Sequence, residues 1–135
     1  MTRDEAMGLL LEYLTAPHLI RHCLAVEASV RGYARHFGED EELWGLAGLL
    51  HDFDYEIHPE AHEHPALGKP ILEDRGVPEA VIYAIQSHAD YLDIPRTHLL
   101  DKALYASDEL SGFVMAVAMV RPSRSLHDVG ARAVK

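Results

Sequence analysis

Between residues 18 and 37 the apolar side chains recur at one period. Leu19, Cys23, Val26, Val30, Tyr33 and Phe37 stand three or four apart, the spacing of one helix face, and Gly38 follows as a stop. No long stretch alternates at period two, and neither Asn-Gly nor Asp-Gly occurs to turn a hairpin. A chain patterned this way can bury its apolar surface only by packing helices together, so the fold class is all-α.

Helix signals recur along the rest of the chain. Thr2 to Glu5 is a capping-box pattern that opens a first helix to about Leu14, with Pro17 just beyond it. The second helix runs from about His18 to Phe37 and a third from about Asp40 to Asp52. Polar, irregular chain from Phe53 to Glu63 leads to a fourth helix, Pro65 to Arg75, closed by Gly76. Pro70 inside that pattern conflicts with a regular helix, because it cannot donate to the residue four back. A fifth covers about Pro78 to Asp90. A sixth, about His98 to Val120, is apolar on most sides and is expected at the centre of the bundle. A short last helix reaches about Val134. No repeat or interdomain linker interrupts the series, and 135 residues suit one domain, 1–135, of six to seven helices.

The totals narrow the surroundings. One cysteine, Cys23, excludes an internal disulfide framework and suits a reducing compartment. The longest apolar stretch, Gly112 to Val120, is too short to span a bilayer, and "MTRDEAMG" lacks the pattern of a secretion signal. The expectation is a cytoplasmic protein with no membrane partner. A net charge of −10 opposes binding to a nucleic-acid polymer or an anionic membrane, but not to a small phosphate ester whose charge a metal neutralises. Ten histidines are unusual for a domain this size, and metal ligation is one reason for them.

The informative ionisable groups are those that interrupt apolar faces. His22 lies one turn from Leu19 and Val26, at the border of the second helix's stripe. In "LAGLLHDFDY" His51 continues the buried face of Ala47, and Asp52 stands directly after it. His88 follows Val81 and Ile85 on the apolar face of the fifth helix. Asp108 follows Leu104 by four within the most apolar helix, where an unpaired carboxylate costs several kcal/mol, so it needs a partner. Taken singly, each has an ordinary reading as a hydrogen-bonded core or edge residue. The His-Asp dipeptide is weak by itself: ten of each residue in this length predict roughly 0.7 such pairs by chance. The second copy, His127–Asp128, has no apolar run ahead of it and reads as a surface coincidence. The weight lies in the set, because imidazole nitrogens and carboxylate oxygens on successive helices of one small core suit a divalent transition metal.

His22, then His51–Asp52, then Asp108, in that order on helices, resembles the HD superfamily of metal-dependent phosphohydrolases. "LLHDFDYE", "HPALGKPIL" from His64, "SHAD" around His88 and above all "ALYASDELSGFVMAVAMVRPSR" are similar to its small stand-alone bacterial and archaeal members. The resemblance covers roughly His18 to Arg124. It implies an HD-domain helical bundle with His22, His51, Asp52 and Asp108 as metal ligands. In two-metal members histidines at the positions of His64 and His88 add a second set, and both are present. Many relatives place lysine shortly after the His-Asp pair, where this chain has Asp54, and often continue with a basic tail beyond the "VRPSR" block.

The expected activity is hydrolysis of a small phosphate ester, such as a nucleotide or related metabolite, with two divalent ions drawn from Mn, Fe, Co, Ni, Mg or Zn. His51 and Asp52 are the expected catalytic residues, Asp52 as the bridge because a carboxylate offers two oxygens and an imidazole one free donor. Asp54 and Glu56 are candidates to orient a histidine N–H, with a solvated loop as the plain alternative. Lys69, Arg121 and Arg124 are the candidate phosphate grips. Of the three histidines in "HPEAHEHP", His64 is expected to ligate and His58 and His62 to be solvated. A homodimer is compatible with all of this. The rival readings are a non-catalytic HD-type module that binds a nucleotide or metal, and an HD-fold diiron oxygenase.

Overall fold

The computed structural model describes residues 1–134, leaving aside the side chain of Asp128. Among them seven α-helices form the fold: α1 (Arg3–Tyr13), α2 (Pro17–Phe37), α3 (Glu41–Leu50), α4 (Lys69–Asp74), α5 (Glu79–Ser87), α6 (Leu99–Val120) and α7 (Ala131–Val134). No strand occurs among the described residues.

The helix starts follow local chemistry. Thr2 Oγ1 accepts the Glu5 N–H at 3.2 Å while Glu5 takes the Thr2 N–H at 2.7 Å, closing the capping box expected for α1. Asp40 caps α3 by accepting the Leu43 N–H at 3.1 Å. α2 begins without a cap from its own Ala16, and Glu56, forty residues away, fills the role. Its carboxylate accepts the Thr15 and Ala16 N–H groups and the Thr15 hydroxyl. Glu56 therefore ties the turn after His51–Asp52 to the helix that carries His22; it orients no histidine, which corrects that expectation. α2 ends at Gly38 in the left-handed conformation, φ 68°.

Pro70 finds a regular place. The chain makes a tight 3-10 turn over Ala66–Gly68 and starts α4 afresh at Lys69, which puts Pro70 in the first turn, where its missing N–H has no partner to lose. The expected start at Pro65 is thus four residues early.

α3 is the axis of the bundle. Every residue from Trp44 to Leu50 is buried, against α2 on one side and α1, α5 and α6 on the others. At Gly48 the backbones nearly touch: a Cβ there would stand 2.7 Å from the Glu27 Cα. Buried Glu27 is held by Arg3 and Arg31 at 2.6 and 3.1 Å, so the charge that α2 sends into this contact is paired.

α6 departs from its expected central position. Its first half packs through Leu100, Ala103, Leu104 and Ser107, but Leu110, Phe113, Met115, Met119 and Val120 are 42 to 84% exposed. The reason is a crossing. Ser29 and His22, two turns apart on α2, reach the adjacent Ser107 and Asp108 of α6, both at 2.9 Å. Two helices that meet in that way diverge on either side. By length and composition α6 suffices to cross a membrane, although Asp101, Lys102, Asp108 and Glu109 lie within it.

Candidate metal centre

α3 and α5 end in the same way, and both ends carry chemistry. His51 is the C-cap of α3 and His88 the C-cap of α5. Each imidazole turns back on the last turn of its own helix, His51 Nδ1 donating to the Gly48 carbonyl at 2.8 Å and His88 Nδ1 to the Ile85 carbonyl. A helix leaves its final carbonyls unpartnered, and a histidine in the last turn satisfies one. A carbonyl only accepts, so Nδ1 must hold the hydrogen, and in the neutral ring the Nε2 lone pair faces outward. This is why the third helix stops at Leu50 instead of Asp52 and the fifth at Ser87 instead of Asp90.

The chain after His51 turns tightly, with Phe53 N–H on the Leu50 carbonyl and Tyr55 N–H on that of Asp52. Fully buried Phe53 anchors the turn and leaves Asp52 between two sets of imidazoles. Asp52 Oδ2 lies 3.2 Å from His51 Nε2 and 3.5 Å from His22 Nε2. Oδ1 lies 2.9 Å from His64 Nε2 and 3.6 Å from His88 Nε2. Asp108 closes the first set, its Oδ1 at 2.9 Å from His22 and 3.4 Å from His51. The donors thus fall into two groups, His22–His51–Asp52–Asp108 and Asp52–His64–His88, within each of which they lie no more than 4.8 Å apart.

These separations suit metal ions. Donors about 2.1 Å from a common ion stand roughly 3.0 Å apart in an octahedron and roughly 3.4 Å in a tetrahedron. Nε2 of His22 and Nε2 of His51 face each other at 3.2 Å, and with His51 Nδ1 spent on Gly48, only a proton or a cation between them makes that approach favourable. Without metal a proton takes the place. Burial disfavours the His51 imidazolium, but the Asp52 charge and hydrogen bonds to Asp108 and Asp52 outweigh it and hold the group well above its ordinary value. Burial likewise opposes ionisation of Asp52 and Asp108, yet the facing histidines hold both carboxyls below the usual carboxylate range. His64 is pushed up to about 9, because hydrogen bonds to Asp52 and Asp54 outweigh its burial. A divalent cation could satisfy the same converging donors.

The site opens into a depression of about 370 Å³ lined by Asp52, His64, His88 and Asp108 with Tyr55 and Tyr91 at its edge. The two tyrosines were not singled out from sequence; each follows a ligand-bearing helix end by three or four residues, and nothing local distinguishes them from surface aromatics. Of the three candidate phosphate grips, none is brought to the six donors. Lys69 is exposed in the wall of a separate depression of about 680 Å³, formed by α4, α5 and the segment around Leu92. Arg121 stands thirteen residues beyond Asp108 at the end of α6, about 20 Å at 1.5 Å per residue, and Arg124 is not among the residues that line the depression. His62 is exposed, and His58 faces Glu63 at 3.5 Å, outside both donor groups. His127 is exposed; the side chain of Asp128 lies outside the described residues.

Comparison with known proteins agrees with this geometry. Ribonuclease Y of Desulfotalea psychrophila is 31% identical over 105 residues, which are 76% of this chain and 20% of that protein. The Ribonuclease Y proteins of Lactobacillus gasseri and Lactobacillus johnsonii are each 29% identical over 104 residues, 75% of this chain and 19% of theirs. The chain therefore spans about one fifth of the length of these relatives. No solved structure matches it significantly. The HD domain profile matches residues 19–112, from the start of the α2 stripe past Asp108, and takes in all six converging donors. The chain belongs to the HD domain family, a family of metal-dependent phosphohydrolases.

Proposed function

We propose that this chain is a two-metal phosphohydrolase acting on a small phosphate ester, such as a nucleotide. One observation supports the reading: the two oxygens of Asp52 face separate donor groups, so one carboxylate would serve two cations. His22, His51 and Asp108 would hold one ion with Asp52; His64 and His88 would hold the other. A pair of divalent ions acidifies water and draws charge from phosphate oxygens.

The residues do the positioning. His51 and His88 are locked by their helix-end hydrogen bonds, so their Nε2 atoms are presented without loss of rotamer freedom. Asp52, held ionised by its histidines, remains a two-oxygen ligand at neutral pH. The open depression admits a phosphate-sized group from the Tyr55 and Tyr91 side. The single, buried Cys23 is in keeping with a cytoplasmic setting.

A second reading has its own observation, because the relatives are named ribonucleases and their bond is then an RNA phosphodiester. The net charge of −10 weighs against a polymer. The test is to purify the chain untagged, count metals by elemental mass spectrometry, load it with Mn, Co, Ni or Fe, and assay phosphate monoesters beside a short oligoribonucleotide. Monoester turnover that is lost in Asp52→Asn supports the proposal. Cleavage of the oligonucleotide alone transfers it to RNA. Metal-bound protein without turnover points to a binding module, and iron-dependent oxygen uptake points to an oxygenase.

A further inference from the structure

Three histidines of the centre have their second ring nitrogen occupied, and one differs from the others. His51 and His88 donate to neutral carbonyls of their own helices. His64 Nδ1 meets the Asp54 carboxylate at 2.5 Å. Asp54 is fully buried, and its other oxygen, Oδ2, has no hydrogen-bond partner among the described residues. It lies beneath Gly68, where a Cβ would come within 2.4 Å of Oδ2 and 3.0 Å of the Phe53 ring. A carboxylate buried in this way costs several kcal/mol unless something compensates its charge; no lysine or arginine pairs with it among the described residues, and its partner is His64.

Counting charge shows what compensates it. The His22 group has a carboxylate of its own, Asp108, beside the shared Asp52. The His64 group contains only the shared Asp52 and two imidazoles. An ion there is short of negative charge by comparison, and Asp54 supplies it one bond further out, through His64. A carboxylate behind a ligating imidazole also raises that ligand's basicity.

On the two-ion reading proposed above, we propose that Asp54 is the positioning residue that makes the His64–His88 half competent to hold an ion. Without its charge the His64–His88 half binds its ion more weakly, and the His22 half keeps its own. Gly68 is required because a side chain there would displace the carboxylate.

Asp54→Asn keeps an oxygen to accept from His64 Nδ1 and removes the charge; Asp54→Ala removes both. Gly68→Ala reaches the same carboxylate from the other side, and circular dichroism of each variant checks that it folds. Cobalt(II) titration of the stripped full chain, followed by calorimetry and visible absorption, counts and separates the two ions. The wild type should take two. In Asp54→Asn the second ion should bind 10- to 100-fold more weakly with the first unchanged, and Gly68→Ala should follow it. Asp54→Ala should lose the second ion altogether. Two ions at wild-type affinity in Asp54→Asn would overturn the inference and leave the two-ion reading intact. An equal weakening of both ions would overturn it too, as the mark of a merely structural residue. Fewer than two ions in the wild type would sink the two-ion reading itself.

Discussion

Stripped of metal and taken from pH 6 to pH 9.5, the protein should lose stability, and His64 sets a calculable part of the loss. In the metal-free chain burial disfavours the His64 imidazolium, but hydrogen bonds to Asp52 and Asp54 outweigh it and push the group from 6.5 up to about 9. A group whose folded value is raised stabilises the fold fully below its unfolded value and ceases to do so as pH rises through the folded one. The window is therefore 6.5 to about 9. At about 1.36 kcal/mol for each pKa unit, His64 contributes roughly 3 kcal/mol that disappears across it. His51, held up by Asp52 and Asp108, acts in the same direction. Urea unfolding in chelator at constant ionic strength, at pH 6 and 9.5, measures the loss directly, and His64→Gln should remove the His64 part of it, roughly 3 kcal/mol. With metal present the sign reverses, because ligation needs neutral imidazoles and metal-derived stabilisation grows as pH rises. A flat profile in the stripped protein, or a fall that His64→Gln leaves intact, would refute the reasoning.

Further expectations concern single positions. Gly48→Ala places a Cβ 2.7 Å from the Glu27 Cα, so α3 must move off α2; the expected cost is about 1–3 kcal/mol by urea unfolding, with weaker metal binding as His51 leaves His22. Asp52→Ala should abolish metal loading and hydrolysis while circular dichroism keeps its helical form; full metal content with unchanged activity would contradict the site. Arg121→Ala and His127→Ala should leave KM and kcat within about twofold, since the first lies about 20 Å along α6 from Asp108 and the second is exposed on the 3-10 turn after α6. Burial pushes the Cys23 thiol up to about 11, so a thiol reagent at pH 8 should label it only as fast as the chain opens.

Much of the protein could be read one residue at a time. The stripe from Leu19 to Phe37, the Thr2–Glu5 box, the Asp40 cap and Gly38 are rules of spacing and local hydrogen bonding, and a helix obeys them wherever it lies. Polar residues on apolar faces marked His51 and His88, because a buried imidazole breaks a pattern that sequence displays. Other assignments depended on which surfaces meet. The exposed end of α6 follows from its crossing of α2 at Ser107 and Asp108, and an apolar run looks the same whether a neighbour covers it or not. Arg121 was near in motif but far along the helix, because α6 turns thirteen residues into about 20 Å. Glu56 is indistinguishable from a solvated loop acid until α2 presents uncapped N–H groups to it. Helices and donor types are legible in the chain alone, since periodicity and chemistry are local. That Asp52 turns one oxygen to each histidine group, and that Asp54 is sealed behind His64, depends instead on how the turn after α3 packs beneath Gly68, which no local pattern records.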